Sequence, residues 1–355
     1  MAPVRVWVMV LLASWSLAMV ARAEPQGRAA WFLAQESRTL AQHTYIPPLL
    51  QQSAFVTSHF GVRQGFSSLV VPNVATDLGR QDLRANGFTQ SFDLGLKLFE
   101  FIGLYATAFG TVNSGTNAAS AFDLGANLEA GFRAGGVLRL LRLPQVGTQL
   151  SLRVSGGLGS VNEINVDQFL EAAQQDTAQL PAIRRDSALA LLVTPARAVL
   201  FGTSVHWAQT IVPALALQTS VAFGRSNTTS RPFDLGDGRR AEVTRDERIV
   251  ETSFALSLDL ASFRVPVALM PEYQLVREAV SARDGALRRD FHYRSQRVGG
   301  GIYYSGRPNL VLGVGAFTAL NLEQDRLEWN AADGSRKRSG APSQTQAHFV
   351  LRYVW

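Results

Sequence analysis

Ala347-His348-Phe349-Val350-Leu351-Arg352-Tyr353-Val354-Trp355 closes the chain. Alternate residues, Ala347, Phe349, Leu351, Tyr353 and Trp355, are apolar or aromatic, and His348, Val350, Arg352 and Val354 fall between them. A period of two marks a β-strand whose faces meet different surroundings. Chain ends are ordinarily polar and frayed, so a chain that stops inside a strand on Trp needs a partner strand. A β-barrel supplies one, because its last strand pairs with its first and leaves no edge.

The opposite end supports export. Arg5 precedes an apolar run over residues 6–20, and Ala21-Arg22-Ala23 is a small-residue cleavage pattern before Glu24. A transmembrane anchor is the alternative, but the run falls short of the ~20 residues a spanning helix needs. The expected division is a signal peptide over 1–23, a periplasmic segment over 24–52 and a barrel over 53–355. Residues 29–42 carry a helical flavour that Pro47-Pro48 ends. A periplasmic lead-in, a short helix tucked into the barrel mouth and a disordered tail all remain open for this segment.

From Ser53 onward the period is two, and twelve strands are expected, near residues 53–66, 88–98, 102–112, 120–140, 148–159, 197–207, 214–225, 248–260, 267–280, 291–304, 310–329 and 347–355. The second is the clearest: Phe88, Gln90, Phe92, Leu94, Leu96 and Leu98 alternate with Thr89, Ser91, Asp93, Gly95 and Lys97. Very short connections alternate with long polar ones, including 67–87, 226–247, 283–290 and 330–343. The longest, 161–195, holds a Gln-, Glu- and Ala-rich stretch at 166–178 that reads as a short helix. The fold class is therefore all-β: an antiparallel transmembrane barrel of about twelve strands with a short helix in one loop. An even strand count puts both barrel ends on the short-turn side. Phe99, Phe101, Trp207, Phe263, Tyr303, Tyr304 and Trp355 fall near that side, and Phe66, Phe88, Phe109, Phe122, Phe223, Phe291 and Trp329 near the other. Two such girdles suit the two membrane interfaces. A soluble exported sandwich or propeller would also show alternating strands, but it explains neither the turn asymmetry nor the terminal Trp.

The chemistry-bearing residues are sparse. The absence of cysteine removes disulfides, thiolate metal sites and thiol nucleophiles. Basic residues exceed acidic ones by 34 to 28, but they are scattered, so no nucleic-acid patch is read. His43, His59, His206, His292 and His348 do not stand at metal-ligand spacing. Asp234-Leu235-Gly236-Asp237-Gly238 lacks the further oxygen ligands and closing Glu of a calcium loop and reads as a turn. No cofactor or metal is expected. The inward-facing candidates for a lumen or constriction are Asp93, Lys97, Asp123, Glu129, Arg133, Arg153, Glu251, Asp259, Glu272, His348 and Arg352, with Asn127 beside them. Their signs are mixed, which favours pairing across a narrow lumen over selection of one charge.

The signal segment, the alternation and the terminal Phe349-Val350-Leu351-Arg352-Tyr353-Val354-Trp355 together resemble Gram-negative outer-membrane β-barrel proteins of the porin or transport kind. The resemblance implies residence in the outer membrane, contact with its lipid, and a final strand whose Phe349, Leu351, Tyr353 and Trp355 form the signal read by the barrel assembly machinery. Only that strand is specific, and no named family is assigned. Barrel phospholipases and proteases belong to the same broad class. Ser58-His59 does not fit the first, and no paired Asp with Asp-His fits the second. The expected function is a narrow, non-catalytic channel or transporter for small solutes. The alternative is a non-conducting structural or surface barrel whose basic outer loops bind lipopolysaccharide or a protein.

Overall fold

The computed structural model describes residues 38–76, 79–116, 126–164, 193–231, 233–234, 239–240, 242–284, 287–324, 327–329, 336–338 and 343–355. Twelve antiparallel strands close into one barrel. In chain order they are β1 (His59–Thr76), β2 (Gly79–Lys97), β3 (Ile102–Gly115), β4 (Ala126–Leu143), β5 (Thr148–Ile164) and β6 (Val193–Val212). They continue as β7 (Leu215–Ser230), β8 (Val243–Asp259), β9 (Val267–Asp284), β10 (Leu287–Tyr304), β11 (Leu310–Gln324) and β12 (Ser343–Val354). Each strand pairs with its sequence neighbours, and β12 pairs with β1 from Ser343↔Val70 to Val354↔His59. The terminal stretch is thus the closing strand.

The alternation decides which way each strand faces. In β12, Phe349, Leu351 and Tyr353 stand on the outer surface, while His348, Val350 and Val354 are buried inside. In β2, Leu94 and Leu96 point outward and Gly95 inward. Large apolar side chains remain exposed around the wall, among them Leu104, Phe132, Leu158, Phe201, Phe254 and Ile302. A belt this extensive would be a liability in water, and it is the lipid-facing surface of a membrane barrel. No described helix is long and apolar enough to cross a membrane. The only helix among the described residues is one 3-10 turn, Leu260–Phe263.

Short turns at 98–101, 144–147, 213–214, 260–266 and 305–309 all lie at the end where His59 and Val354 meet. Strands of up to 20 residues exceed the 9–11 or so that cross the apolar band, so they project beyond it on the opposite side. There the wall carries ion pairs such as Arg225 with Asp246 and Arg245 with Glu278.

This extension corrects several sequence boundaries. The expected loop at 67–87 is mostly strand: β1 runs to Thr76 and β2 starts at Gly79. Their register shifts between Val71 and Val74, a bulge that accommodates Pro72, which has no N–H to donate. The expected loops at 226–247 and 283–290 are likewise shortened by strands that continue into them. β11 stops at Gln324, and Leu327–Trp329 instead pairs with Arg336–Arg338 as a separate hairpin. Residues 53–58 belong to no strand, and residues 38–42 are bend, strand and turn rather than helix. Tyr303 and Phe109 are not girdle residues, because both lie on inward-facing registers and Tyr303 is almost fully buried. The expected helix at 166–178, together with Phe122 and Asp123, lies outside the described residues.

Candidate functional site: a lumen plugged by the segment before the barrel

Residues 38–58 run inside the barrel at its short-turn end. Their fold begins with a two-residue hairpin, Thr39–Leu40 against His43–Thr44. The reversal uses Ala41 at φ 44° and Gln42 at φ 69°. Two consecutive positive φ values are what a tight type I′ turn demands. Beyond the hairpin, Tyr45-Ile46-Pro47-Pro48-Leu49 is an apolar run with two prolines. Prolines lack the donor a sheet would use, so this strip stays unpaired by the wall strands and is held by side chains.

Two apolar clusters seat it. Leu40, Tyr45, Ala54 and Phe55 pack with the wall residues Ala208 and Ala216. Ile46 and Leu49 pack with Ala255, Ala268, Met270, Tyr303, Val311 and Val350. The wall is lined with alanine at four of these contacts, which leaves room for the plug's larger side chains.

Polar wall residues then satisfy the plug's backbone. Glu272 accepts from the Leu49 and Leu50 amides, one per carboxylate oxygen, both at 2.8 Å. Gln218 Nε2 donates to the Ile46 carbonyl at 2.9 Å and Gln274 Nε2 to the Leu50 carbonyl at 2.8 Å. Gln149 and Ser151 both donate to the Ala54 carbonyl. Arg153 donates Nε to the Ser53 carbonyl at 3.0 Å and reaches the Gln52 side chain and the Phe55 carbonyl. Its guanidinium carbon also lies 4.8 Å from the centre of the Tyr105 ring. Arg63 reaches the Leu49 carbonyl at 3.3 Å. A buried backbone group left unpaired is costly, so these wall residues are what permit irregular chain inside the barrel.

The plug's own polar side chains anchor it to the short-turn end of the wall. Arg38 donates to the carbonyls of Tyr45 and Pro308, and burial, with Arg352 nearby, brings its pKa down to about 10. Tyr45 donates to Thr210, which donates to the Leu40 carbonyl; burial pushes the Tyr45 hydroxyl up to about 12. His43 Nδ1 lies 2.9 Å from the Pro213 carbonyl and Nε2 lies 3.2 Å from Ser257 Oγ. A carbonyl only accepts, so Nδ1 carries the proton and Nε2 accepts from Ser257. Burial lowers the His43 pKa, against the raising effects of the Pro213 hydrogen bond and Asp259.

The inward candidates divide by what they touch. Arg153 and Glu272 hold the plug. Asp93 braces the wall, accepting from Arg352 at 2.6 Å and meeting His59 Nε2 at 2.9 Å. Gly61 stands between Asp93 and Arg352 in the register, and a Cβ there would collide with the Asp93 carboxylate. Asp259 caps the 3-10 turn through the Ala261 amide, and Lys97 pairs with Glu100 at the rim. Glu129 lies on an inward register opposite Thr111. Arg133, Glu251 and His348 line the space beside the plug, a cavity of about 670 Å³. The sequence reading missed Arg63, Arg297, Gln149, Gln218 and Gln274. Their parity on β1, β5, β7, β9 and β10 was the available signal, but a segment tucked into the barrel mouth is only one of three open readings of residues 24–52, and no wall residue is assigned to hold it.

No protein-family model matches this sequence, and no curated protein matches it. Solved structures of similar fold include an outer-membrane channel from Pseudomonas putida F1, 12% identical over 88% of this chain and all of that one, with a TM-score of 0.52. The transport unit of the autotransporter AIDA-I from Escherichia coli is 9% identical over 89% of this chain and 95% of that one, also at 0.52. The architecture is that of Gram-negative outer-membrane β-barrels.

Proposed function

We propose that this chain is an outer-membrane channel for small solutes, non-catalytic, whose conductance is limited by its own residues 38–58. The observation that supports this most directly is the cavity of about 670 Å³ with a mixed polar and apolar lining that remains beside the plug. A twelve-stranded barrel encloses more space than side chains alone fill, and here the surplus is shared between plug and cavity. The plug is held by hydrogen bonds and packing, with no strand pairing to the wall, so it is a removable element. Two proteins of similar fold are described as a channel and a transport unit.

The full reading has the 1–23 segment cleaved on export, Phe349 to Trp355 read by the assembly machinery, and the outer belt seated in lipid. Planar-bilayer recording of the refolded protein tests it. The intact chain is expected to give small or brief openings, and a variant lacking residues 38–57 a conductance several-fold larger. Silence from both variants would overturn the channel reading. It would favour the second one, a structural barrel filled by its own chain that binds lipopolysaccharide or a protein through its outer loops.

A further inference from the structure

The charges that face the cavity are not balanced. Six arginines border it, Arg63, Arg133, Arg153, Arg225, Arg297 and Arg352, against the carboxylates of Asp93 and Glu251; Arg225 is paired with Asp246. Glu272, the other acid of this region, has both oxygens committed to the plug backbone. Asp93 is shared between Arg352 and His59. Arg153 is spent on plug carbonyls, and Arg297 donates to Gln274. The buried Nε of Arg352 has no partner, and Arg133 makes no described hydrogen bond or ion pair. Guanidinium groups in a partly dehydrated space attract oxyanions strongly and match a carboxylate as a two-pronged donor.

Arg133 also has an apolar setting. Along one row of the wall the order is Thr107, Arg133, Gly157, Leu200. Gly157 separates the arginine from Leu200 in this row, and a Cβ there would press on the Phe132 carbonyl at 2.7 Å and on Arg133 Cβ at 3.4 Å. Phe109 lies over Gly131 on the same strand face as Arg133, where a Cβ would strike its ring. Arg133, the Phe109 ring and Leu200 thus line the same cavity.

We infer that the lumen holds a binding site for a small carboxylate with an apolar body, its oxygens on Arg133 and its body against Phe109 and Leu200. This rests on the lumen being open to solutes, and it names the class of solute: an organic anion. The row provides a charge that recruits the anion and a surface that distinguishes it from chloride.

Two measurements on the full refolded chain test the site. Isothermal titration of the detergent-solubilised protein uses benzoate as probe and benzyl alcohol as its neutral counterpart. Benzoate is expected to bind, benzyl alcohol to bind at least ten-fold more weakly, and Arg133→Gln to weaken benzoate about ten-fold. Equal binding of the two probes, no binding of benzoate, or an Arg133→Gln variant that binds as the parent does would overturn the site. A heat-modifiability gel confirms that the variant barrel is closed. In bilayers under a salt gradient the reversal potential is expected to take the anion sign. Arg133→Glu should move it towards the cation sign, and Glu251→Gln further towards the anion sign. A cation-selective parent, or a potential that neither substitution moves, also overturns the inference. Absence of all current overturns the channel proposal alone, because the titration reads the site without conduction.

Discussion

At the scale of single residues, the plug depends on groups that offer several bonds each. Glu272 binds two successive amides, and no neighbouring side chain duplicates both contacts. Hydrogen bonds to a charged partner contribute about 1.5–3 kcal/mol each, so Glu272→Ala should weaken plug docking by about 3 kcal/mol and speed hydrogen exchange at Leu49 and Leu50 while the barrel amides stay protected. Unchanged exchange at these two amides would show that packing alone seats the plug. His43 adds a pH dependence of defined sign. The docked imidazole has a lowered pKa and is neutral, facing the Pro213 carbonyl, Ser257, the edge-on Tyr45 ring and, at longer range, Asp259. A released plug takes up a proton near the free value of about 6.5, so docking is at full strength above that pH and weakens as pH falls below it. Conductance should rise on acidification below about 6.5. His43→Asn, whose amide can still donate to Pro213, should flatten that part of the response; an identical pH curve in the variant would assign the effect to the wall histidines.

At the scale of elements, the strands were legible because a membrane wall imposes its alternation on nearly every residue of β2, β8 and β12, and the inward set from Asp93 to Arg352 followed from parity. The barrel mouth is one of three open readings of the plug segment, and its irregular course inside the lumen was not legible for a physical reason. Chain inside a barrel obeys no period: its side chains meet walls on all sides, so Tyr45 to Leu49 reads as an irregular apolar run. The complementary signal sat in the wall, where Ala208, Ala216, Ala255 and Ala268 replace larger inward residues, and an alanine on a lumenal register has no distinctive pattern by itself. Strand ends were misplaced where polar residues continue the ladder beyond the lipid, as in β1 after Phe66. The hairpin that starts the plug is a point where local chemistry and fold disagree. Ala41 and Gln42 both hold positive φ, at roughly 1 kcal/mol for a residue with a Cβ. Replacing the pair by Asn-Gly, the preferred residues for this turn, should strengthen plug docking by about 1 kcal/mol and lower the open probability in bilayers. A pair that opens more often than the parent would place the hairpin outside the gating equilibrium.

At the scale of the whole molecule, closure and plugging are separable. The β12–β1 ladder of backbone bonds joins the wall without help from residues 38–57. Removing the plug exposes Glu272, Arg153, Gln149 and Gln218 to water inside the lumen, which can solvate them, so the barrel has no new unsatisfied group in lipid. The plugless chain should therefore remain heat-modifiable on gels. The closing strand has no such redundancy. Trp355 donates its amide to the Ser58 carbonyl and stacks near Tyr353 with ring centres 6.2 Å apart, at the point where the last strand meets the chain entering the first. Deleting Trp355 should lower the amount of assembled barrel in outer-membrane fractions several-fold, while protein refolded in detergent keeps its heat-modifiable band. That pair of results would separate reading of the terminal signal from stability of the wall. Equal loss in both settings would mean that Trp355 acts by holding the seam, and equal yield in both would remove its role. Orientation is a prediction of the even strand count, which puts the short-turn end on the periplasmic side: a protease site inserted between Ser230 and Val243 should be cut on intact cells, and protection there would invert the barrel.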